Sequence, residues 1–131
     1  MNEIASYPSL NDKVVIVTGG ASGIGATIVE NFLQQGSKVS FLDIDEELGK
    51  KLIEKYDNYK HKPIFKYCDL TNIDSLKQSI EEIKKESGLV SILVNNAAND
   101  ERHSIDSVTE DLWDDRMNIN LKHYFFAIQS V

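Results

Sequence analysis

Short apolar runs alternate along the chain with longer stretches in which apolar residues recur every three or four positions. Residues 13–18 form the first run, a nearly continuous series of β-branched side chains that predicts a strand buried on both faces of a parallel sheet. Residues 22–35 have the spacing of an amphipathic helix, and Gly36 stands where a glycine commonly ends one. The apolar stripe of this helix comprises Ile24, Ile28, Val29, Phe32 and Leu33.

The same alternation continues to the last residue. Three further apolar runs predict strands, at residues 38–42, 63–68 and 89–94. Asp45 is expected to cap the second helix, the spacing of Thr71 and Asp74 resembles a capping box for the third, and Thr109 is expected to cap the last. A βαβαβαβα order is typical of an α/β fold with a parallel sheet, so we expect residues 1–131 to form one Rossmann-type domain of about four strands and four helices.

Composition and charge narrow the classes of partner. The chain has 131 residues, 41% of them hydrophobic, and a net charge of −7 from 14 basic and 21 acidic residues. Nucleic acids and anionic membranes attract basic surfaces, so neither is an expected partner. No apolar run approaches the roughly 20 residues that span a bilayer. The first ten residues lack the pattern of a signal peptide. Cys68 is the only cysteine of the sequence. We therefore expect a cytoplasmic protein without disulfides, with Cys68 buried and with His61 and His123 at the surface.

Three glycines, Gly19, Gly23 and Gly25, lie between the first strand and the first helix. The missing side chains permit a tight turn and the close approach of a ligand to the backbone. The N-terminus of the helix supplies unpaired N–H groups and the positive end of a dipole. This arrangement predicts a seat for a pyrophosphate group; a glycine-rich turn without a ligand is the alternative.

An acid at the end of the second strand, Asp43, indicates which nucleotide binds there. Its carboxylate can accept hydrogen bonds from both hydroxyl groups of an adenosine ribose. It would repel a ribose 2′-phosphate by about 4 kcal/mol at 4 Å and an effective dielectric constant of roughly 20. Ser22 and Ile44 occupy the nearest positions, so no cation offsets this repulsion. The sequence therefore predicts NAD rather than NADP, and a role for Asp43 only as a strand-end or capping residue stays open.

Four motifs in register resemble the short-chain dehydrogenase/reductase family. Residues 18–25 read T-G-x-x-x-G-x-G, and Asp69 and Leu70 end the third strand. Residues 95–98 (NNAA) are similar to the family's N-N-A-G motif. Residues 113–121 carry the W-D and N-L pairs of the family's fourth helix. The resemblance covers essentially the whole chain and implies the strand order 3-2-1-4. Ala98 in place of glycine is a departure from the pattern. The cofactor-binding residues that the motifs and the acid at the end of the second strand indicate are Gly19, Ser22, Gly23, Ile24, Gly25, Asp43, Ile44, Asp69, Leu70, Asn96, Ala97 and Ala98.

The resemblance also implies a chemistry. Members of the family transfer a hydride between a nicotinamide and an alcohol or carbonyl group, and the matching asparagine, Asn120, would hold a water molecule in a proton relay or else only brace its helix. The family's catalytic serine and Tyr-x-x-x-Lys pair lie beyond this helix, so we expect the chain to be a truncated, cofactor-binding half that is inactive by itself. Tyr56 and Lys60 have the same spacing, but they precede Asn120 in the sequence, which favours a chance match.

Two functions remain open at the level of the sequence. The stretch NNAANDERHSI is similar to the corresponding stretch of the family's sugar (aldose) dehydrogenases, which favours a small polar alcohol or carbonyl substrate for an NAD-dependent oxidoreductase. The alternative is a non-catalytic NAD-binding or dimerisation module from a truncated gene. In either case an exposed fourth strand and the apolar segment YFFAIQSV predict a homo-oligomer or an aggregation-prone chain. No metal site is expected, because the spacing of Asp100, Glu101, His103 and Asp106 matches no recognised ligand set.

Overall fold

Four parallel strands form one sheet in the order β3-β2-β1-β4 in the computed structural model, which describes residues 5–131. The strands are β1 (Val14–Thr18), β2 (Lys38–Asp43), β3 (Ile64–Tyr67) and β4 (Ile92–Val94). β1 lies in the interior and pairs with β2 on one side and β4 on the other. The predicted α/β class and strand order are confirmed.

Helices connect the strands and continue beyond β4. They are α1 (Gly23–Gln34), α2 (Glu46–Lys55), α3 (Ile73–Ser87), α4 (Glu110–Met117) and α5 (His123–Ser130). One π-helical turn, Asn118–Lys122, joins α4 to α5, so the last helical run is continuous but locally widened. The sequence predicted this run as one helix and gave no indication of the π turn.

Side chains of β1 are buried on both faces of the sheet, as predicted. Val15 and Val17 pack in one core with α1 and α2, whereas Ile16 packs in a second core with α3 and α5. Alternate residues of a strand point to opposite faces, so a strand between two helical layers needs apolar residues at every position. Burying each such side chain stabilises the fold by about 1.5–3 kcal/mol.

Two of the three predicted helix caps are confirmed, and one is wrong. The side chains of Asp45 and Thr109 cap α2 and α4 by accepting hydrogen bonds from backbone N–H groups. The cap of α3 is Asn72, which accepts from the N–H of Ser75 at 3.0 Å. Thr71 does not cap the helix, because its hydroxyl donates to the carboxylate of Asp69 at 2.7 Å and the helix begins one residue later than expected.

The fourth strand is shorter than the predicted residues 89–94. Gly88 ends α3 with a φ of +97°, and Leu89 is 83% exposed. The residues that follow Gly88 carry the chain from α3 back to the sheet, and only the last three of the apolar run pair with β1. An apolar run therefore overestimated the length of the strand, because hydrophobicity does not report where the turn into a strand is completed.

The prediction for His123 is wrong, whereas that for Cys68 is confirmed. Both side chains are fully buried. His123 follows the π turn, and its Nδ1 lies 2.6 Å from the carbonyl oxygen of Ile119. His61 is partly exposed and contacts the carboxylate of Asp12. Within residues 5–131, none of the helices combines the length and the apolar character needed to cross a bilayer.

Candidate functional site

The glycine turn between β1 and α1 has two kinds of glycine. A side chain at Gly25 would collide with the carbonyl oxygen of Gly19. Gly25 is therefore required for the close contact between the two ends of the turn. Gly23 has a φ of +53°, and a methyl group there would meet no atom of the described residues within 4 Å. Gly23 thus borders open space, which leaves room for a ligand against the backbone.

The N-terminus of α1 has no side-chain cap. Ser22 stands at the N-cap position but makes no capping hydrogen bond, and the first turn contains no acidic residue. The side chains of Asp45, Asn72 and Thr109, in contrast, cap α2, α3 and α4. The N–H groups at the start of α1 therefore remain available, together with the positive end of the helix dipole, for an anion.

Thr18 fastens the end of β4 to the turn. Its hydroxyl oxygen accepts hydrogen bonds from the N–H groups of Asn96 and Ala97, at 3.0 and 3.1 Å. The side-chain amide of Asn96 donates back to the carbonyl oxygens of Thr18 and Gly19, at 3.0 and 3.1 Å. Sequence reasoning missed this role of Thr18; the signal that could have indicated it is a hydroxyl residue between a buried strand and a glycine turn.

Two acids lie at the carboxyl ends of neighbouring strands. Asp43 accepts a hydrogen bond from the N–H of Ala21 through one carboxylate oxygen, at 2.9 Å, and from that of Asp45 through the other, at 3.0 Å. Asp69 accepts from the N–H and the hydroxyl of Thr71 through one oxygen. Both acids therefore stabilise local turns. Each carboxylate oxygen has two lone pairs, so both side chains can still accept hydrogen bonds from a ligand.

A cleft of about 1020 Å³ opens at this edge of the sheet. All twelve residues that the sequence indicated for cofactor binding line it: Gly19, Ser22, Gly23, Ile24, Gly25, Asp43, Ile44, Asp69, Leu70, Asn96, Ala97 and Ala98. Its far wall, beyond Ala98, includes Asn99, Asp100, Asp115 and Arg116. Ligands of open α/β sheets bind at such a carboxyl edge. Binding of a cofactor by these twelve residues stays a prediction.

A second groove, of about 910 Å³, lies on the outer side of α1. It is lined mainly by apolar side chains of α1 and of residues 5–10, and none of its lining residues within the described range 5–131 is charged. Since it lacks converging polar groups, we place the functional site in the first cleft rather than here.

Asn120 lies in the π turn, and both ends of its side chain bind the backbone of Asn99. Its carbonyl oxygen accepts from the N–H of Asn99 at 2.8 Å, and its amide donates to the carbonyl oxygen of Asn99 at 2.9 Å. These contacts correspond to the bracing role left open by the sequence. Asn120 is not among the residues that line the cleft, and its catalytic role stays a prediction.

Tyr56 and Lys60 do not reach the cleft. Tyr56 is buried in the core, its hydroxyl lies near the carboxylate of Glu30, and burial raises the pKa of the phenol. Lys60 binds Asp12, which precedes β1 and lies at the opposite edge of the sheet. A tyrosine that acts as a general base needs a lowered pKa and access to the substrate, and Tyr56 has neither property.

The remaining chemistry of the cleft is polar rather than nucleophilic or metal-binding. Cys68 borders the cleft, but burial raises the pKa of its thiol and so suppresses the reactive thiolate. Among the residues that the structure describes, no group of three or more His, Cys, Asp or Glu side chains is arranged to hold a metal ion.

The sequence also matches a family model described as short chain dehydrogenase, over residues 13–131. The chain belongs to the short-chain dehydrogenase family. It is 45% identical over 127 residues to the D-xylose 1-dehydrogenase of Caulobacter vibrioides, a match that covers 97% of this chain and 50% of that protein. The chain spans about half the length of the curated relatives it matches.

Solved structures of family members share this fold. The ligand-free aldohexose dehydrogenase of Thermoplasma acidophilum superposes with a TM-score of 0.78 at 38% identity, over 94% of this chain and 44% of that one. A blue fluorescent protein from a metagenomic library, solved in complex with NADPH, superposes with a TM-score of 0.87 at 31% identity, over 92% of this chain and 50% of that one. The cleft described above therefore lies in a fold that belongs to nicotinamide-dependent oxidoreductases.

Proposed function

We propose that this chain forms the cofactor-binding half of an NAD-dependent oxidoreductase that acts on a sugar or another small polar alcohol or carbonyl compound. The observation that carries the proposal is the convergence of all twelve expected cofactor residues on one cleft beside the uncapped N-terminus of α1. When bound, the nicotinamide ring supplies hydride chemistry. The residues of this chain bind and orient the cofactor.

The parts of the cleft suit the parts of a dinucleotide. The free N–H groups at Ser22–Gly25 would hold the pyrophosphate, which the open space at Gly23 admits. The remaining acceptor capacity of Asp43 would take the ribose hydroxyl groups of adenosine, and Asp69 and Leu70 would border the adenine. The other nucleoside would extend past Asn96 towards the far wall of the cleft.

Charge favours NAD over NADP. A 2′-phosphate next to Asp43 would meet a like charge, at a cost of about 4 kcal/mol for one unit charge at 4 Å and an effective dielectric constant near 20. Arg116 is the one cation among the residues that line the cleft, and it lies at the far wall beside Asp115. Since a related protein binds NADPH, both cofactors belong in the test.

The experiment is a fluorescence titration of the protein with NADH and with NADPH. We expect a dissociation constant for NADH at least about tenfold lower, since each 1.4 kcal/mol of discrimination corresponds to a factor of ten. Comparable constants for the two nucleotides would contradict the choice of NAD. Failure to bind either nucleotide would contradict the proposed function as a whole.

A polar substrate is favoured by the relatives and by the loop after β4. The relatives include enzymes named for D-xylose and aldohexoses. Residues 99–107 contribute Asn99 and Asp100 to the far wall of the cleft, and both side chains can hydrogen-bond hydroxyl groups. Turnover with D-xylose and not with an apolar alcohol is the result we expect from the protein that contains this chain.

A second candidate is a non-catalytic NAD-binding module. It is favoured by one observation: both polar ends of Asn120 are bound to the backbone of Asn99, so the expected catalytic side chain already has partners. NADH binding without turnover of any sugar or secondary alcohol would support this candidate. Turnover linked to NADH would exclude it.

We propose further that the chain forms a homo-oligomer and resides in the cytoplasm, where its single buried thiol stays reduced. Five large apolar side chains are exposed at intervals of three or four residues along the last helical run: Trp113, Met117, Leu121, Phe125 and Ile128. An exposed apolar stripe of this extent is typical of an interface between proteins.

A further inference from the structure

The loop of residues 99–107, which follows β4, is attached to the last helical run at two points. The first is the pair of hydrogen bonds between Asn120 and the backbone of Asn99. The second is an ion pair in which Arg116 donates to the carboxylate of Glu101 at 2.7 Å. Because Arg116 and Asn120 are four residues apart, about one helical turn separates the two attachments.

His103 adds to the second attachment. Its Nε2 lies 3.5 Å from Nη2 of Arg116 and 4.0 Å from the carboxylate of Glu101. Arg116 and His103 are each about three-quarters buried, whereas Glu101 is mostly exposed. The guanidinium of Arg116 therefore packs against the loop and contacts the carboxylate of Glu101 and the imidazole of His103.

A contribution to the stability of the fold does not by itself explain the contacts of Arg116. The pair involves an exposed carboxylate, and such pairs contribute little to stability. Moreover, Nε of Arg116 is buried and has no hydrogen-bond partner among the described residues. A buried donor without a partner is unfavourable, so an apolar side chain would stabilise this position better. Positions that break such rules are commonly functional.

The position of Arg116 relative to the proposed cofactor indicates what that function is. Arg116 lines the cleft beyond Ala98, on the β4 side, whereas Asp43 lies on the β2 side, two strands away. With the adenosine at Asp43 and the pyrophosphate at the turn, the reactive nucleoside extends towards β4. Arg116 and the loop it holds then border the substrate.

We infer that Arg116 is a positioning residue that, through its contacts with Glu101 and His103, holds the loop so that Asn99 and Asp100 line the substrate end of the cleft, and that this arrangement selects polyhydroxylated substrates over simple alcohols. The inference rests on the proposed function. The side chains of Asn99 and Asp100, held at this wall of the cleft, offer several hydrogen bonds to neighbouring hydroxyl groups. A substrate without those hydroxyl groups leaves the polar groups unpaired, which is how such a site rejects it.

The first test measures how readily trypsin cleaves the loop, and it does not depend on enzymatic activity. Trypsin can cleave after Arg102, which is exposed in the middle of the loop. Arg116→Met removes the attachment, and Arg116→Lys keeps the charge but loses the planar fork. Lys122→Met, an exposed cation of the same helical run without a contact to the loop, is the matched control.

We expect Arg116→Met to raise the rate of cleavage after Arg102 about fivefold at a melting temperature no lower than that of the parent. Arg116→Lys should give an intermediate rate, and Lys122→Met should behave as the parent. Equal rates of cleavage in the parent and in Arg116→Met would overturn the inference.

The second test measures selectivity in the protein that contains this chain. Arg116→Met should raise KM for D-xylose about tenfold while kcat and the dissociation constant for NADH stay close to those of the parent, and kcat/KM for 2-propanol should not fall. Equal losses for both substrates would overturn the selective role. Absence of NADH binding by the parent would overturn the proposed function, whereas unchanged trypsin rates would overturn this inference alone.

Discussion

Thr18, Asn96 and Asp43 hold the glycine turn by three different kinds of contact. Thr18 accepts backbone N–H groups from the end of β4, Asn96 donates to the turn through its amide, and Asp43 accepts from the N–H of Ala21. Each contact satisfies a polar group that would otherwise be buried without a partner, which is unfavourable by about 1–3 kcal/mol. The shape of the cleft therefore depends on a few side chains beside the glycines.

Gly23 provides a sharp test at this scale. We expect Gly23→Ala to lower the free energy of unfolding by about 1–3 kcal/mol, because φ is positive there, and to weaken NADH binding, because the new methyl group would enter the cleft. Gly88→Ala is the matched control, since Gly88 also has a positive φ and open surroundings but does not line the cleft. Urea unfolding and NADH fluorescence measure the two effects. The same NADH affinity in both variants would contradict the placement of the cofactor.

His123 makes the stability of the protein depend on pH. Nδ1 carries the proton that is donated to the carbonyl oxygen of Ile119, and Nε2 is buried without a partner among the described residues. Burial disfavours the charged ring and lowers the pKa of His123 below its ordinary value of 6.5. The unfolded chain therefore binds more protons than the folded chain just below pH 6.5, and stability falls as the pH drops through this range.

The expected slope from this group is at most about 1.4 kcal/mol per pH unit for the single proton involved. His123→Gln should abolish that part of the slope when unfolding free energies are compared from pH 7.5 downwards. Parallel profiles of the parent and the variant over this range would show that His123 is not the group responsible.

Close contact between α2 and β3 depends on a glycine within the helix. Gly49 is buried, and a methyl group there would come within 2.6 Å of the ring of Phe65. Helix propensity alone would favour alanine over glycine by about 1 kcal/mol. Packing favours glycine at this position, because the aromatic ring of Phe65 lies against the helix backbone.

We expect Gly49→Ala to destabilise the protein despite its better helix propensity, by roughly 1–3 kcal/mol. Phe65→Leu makes room for the methyl group, so the double variant Gly49→Ala/Phe65→Leu should be more stable than the sum of the two single changes predicts. A double-mutant cycle measured by urea unfolding gives the coupling energy. A coupling energy of zero would contradict the direct contact.

Elements were predictable where periodicity and end signals agreed. α2 begins directly after its predicted cap, Asp45, because an Asp before an amphipathic run and acids in the first turn all favour the same start. The start of α3 could not be predicted, because Thr71 and Asn72 are both good capping residues. Only the hydrogen bond between Thr71 and Asp69 decides between them. The π turn left no signal in the hydrophobic pattern.

At the scale of the whole molecule, the apolar stripe on the last helical run is the surface through which we propose that copies of the chain associate. Leu121 and Phe125 lie near its middle and are 56% and 62% exposed. Removing apolar surface from water stabilises an interface by about 25 cal/mol per Å². A charged side chain at either position would have to be desolvated on association.

We expect Leu121→Lys and Phe125→Lys to shift the protein to monomers, as measured by light scattering at high concentration, with little change in the stability of the fold, since both side chains are exposed. Ile105→Lys is the matched control, because Ile105 is 90% exposed and lies outside the stripe. A parent protein that is monomeric at high concentration would refute the proposed homo-oligomer.

The sequence by itself determined the α/β class, since buried parallel strands require continuous apolar runs and the glycine spacing marks one turn between a strand and a helix. The resemblance of its motifs to the short-chain dehydrogenase/reductase family added the strand order and most of the residues that meet at one cleft. Only the tertiary structure decided the contacts between distant residues. It shows that Thr18 binds the end of β4, that His123 is buried and that Arg116 holds the loop over the cleft. The contacts of Thr18 and Arg116 join residues 13 to 79 positions apart in the sequence, and no local pattern reports them.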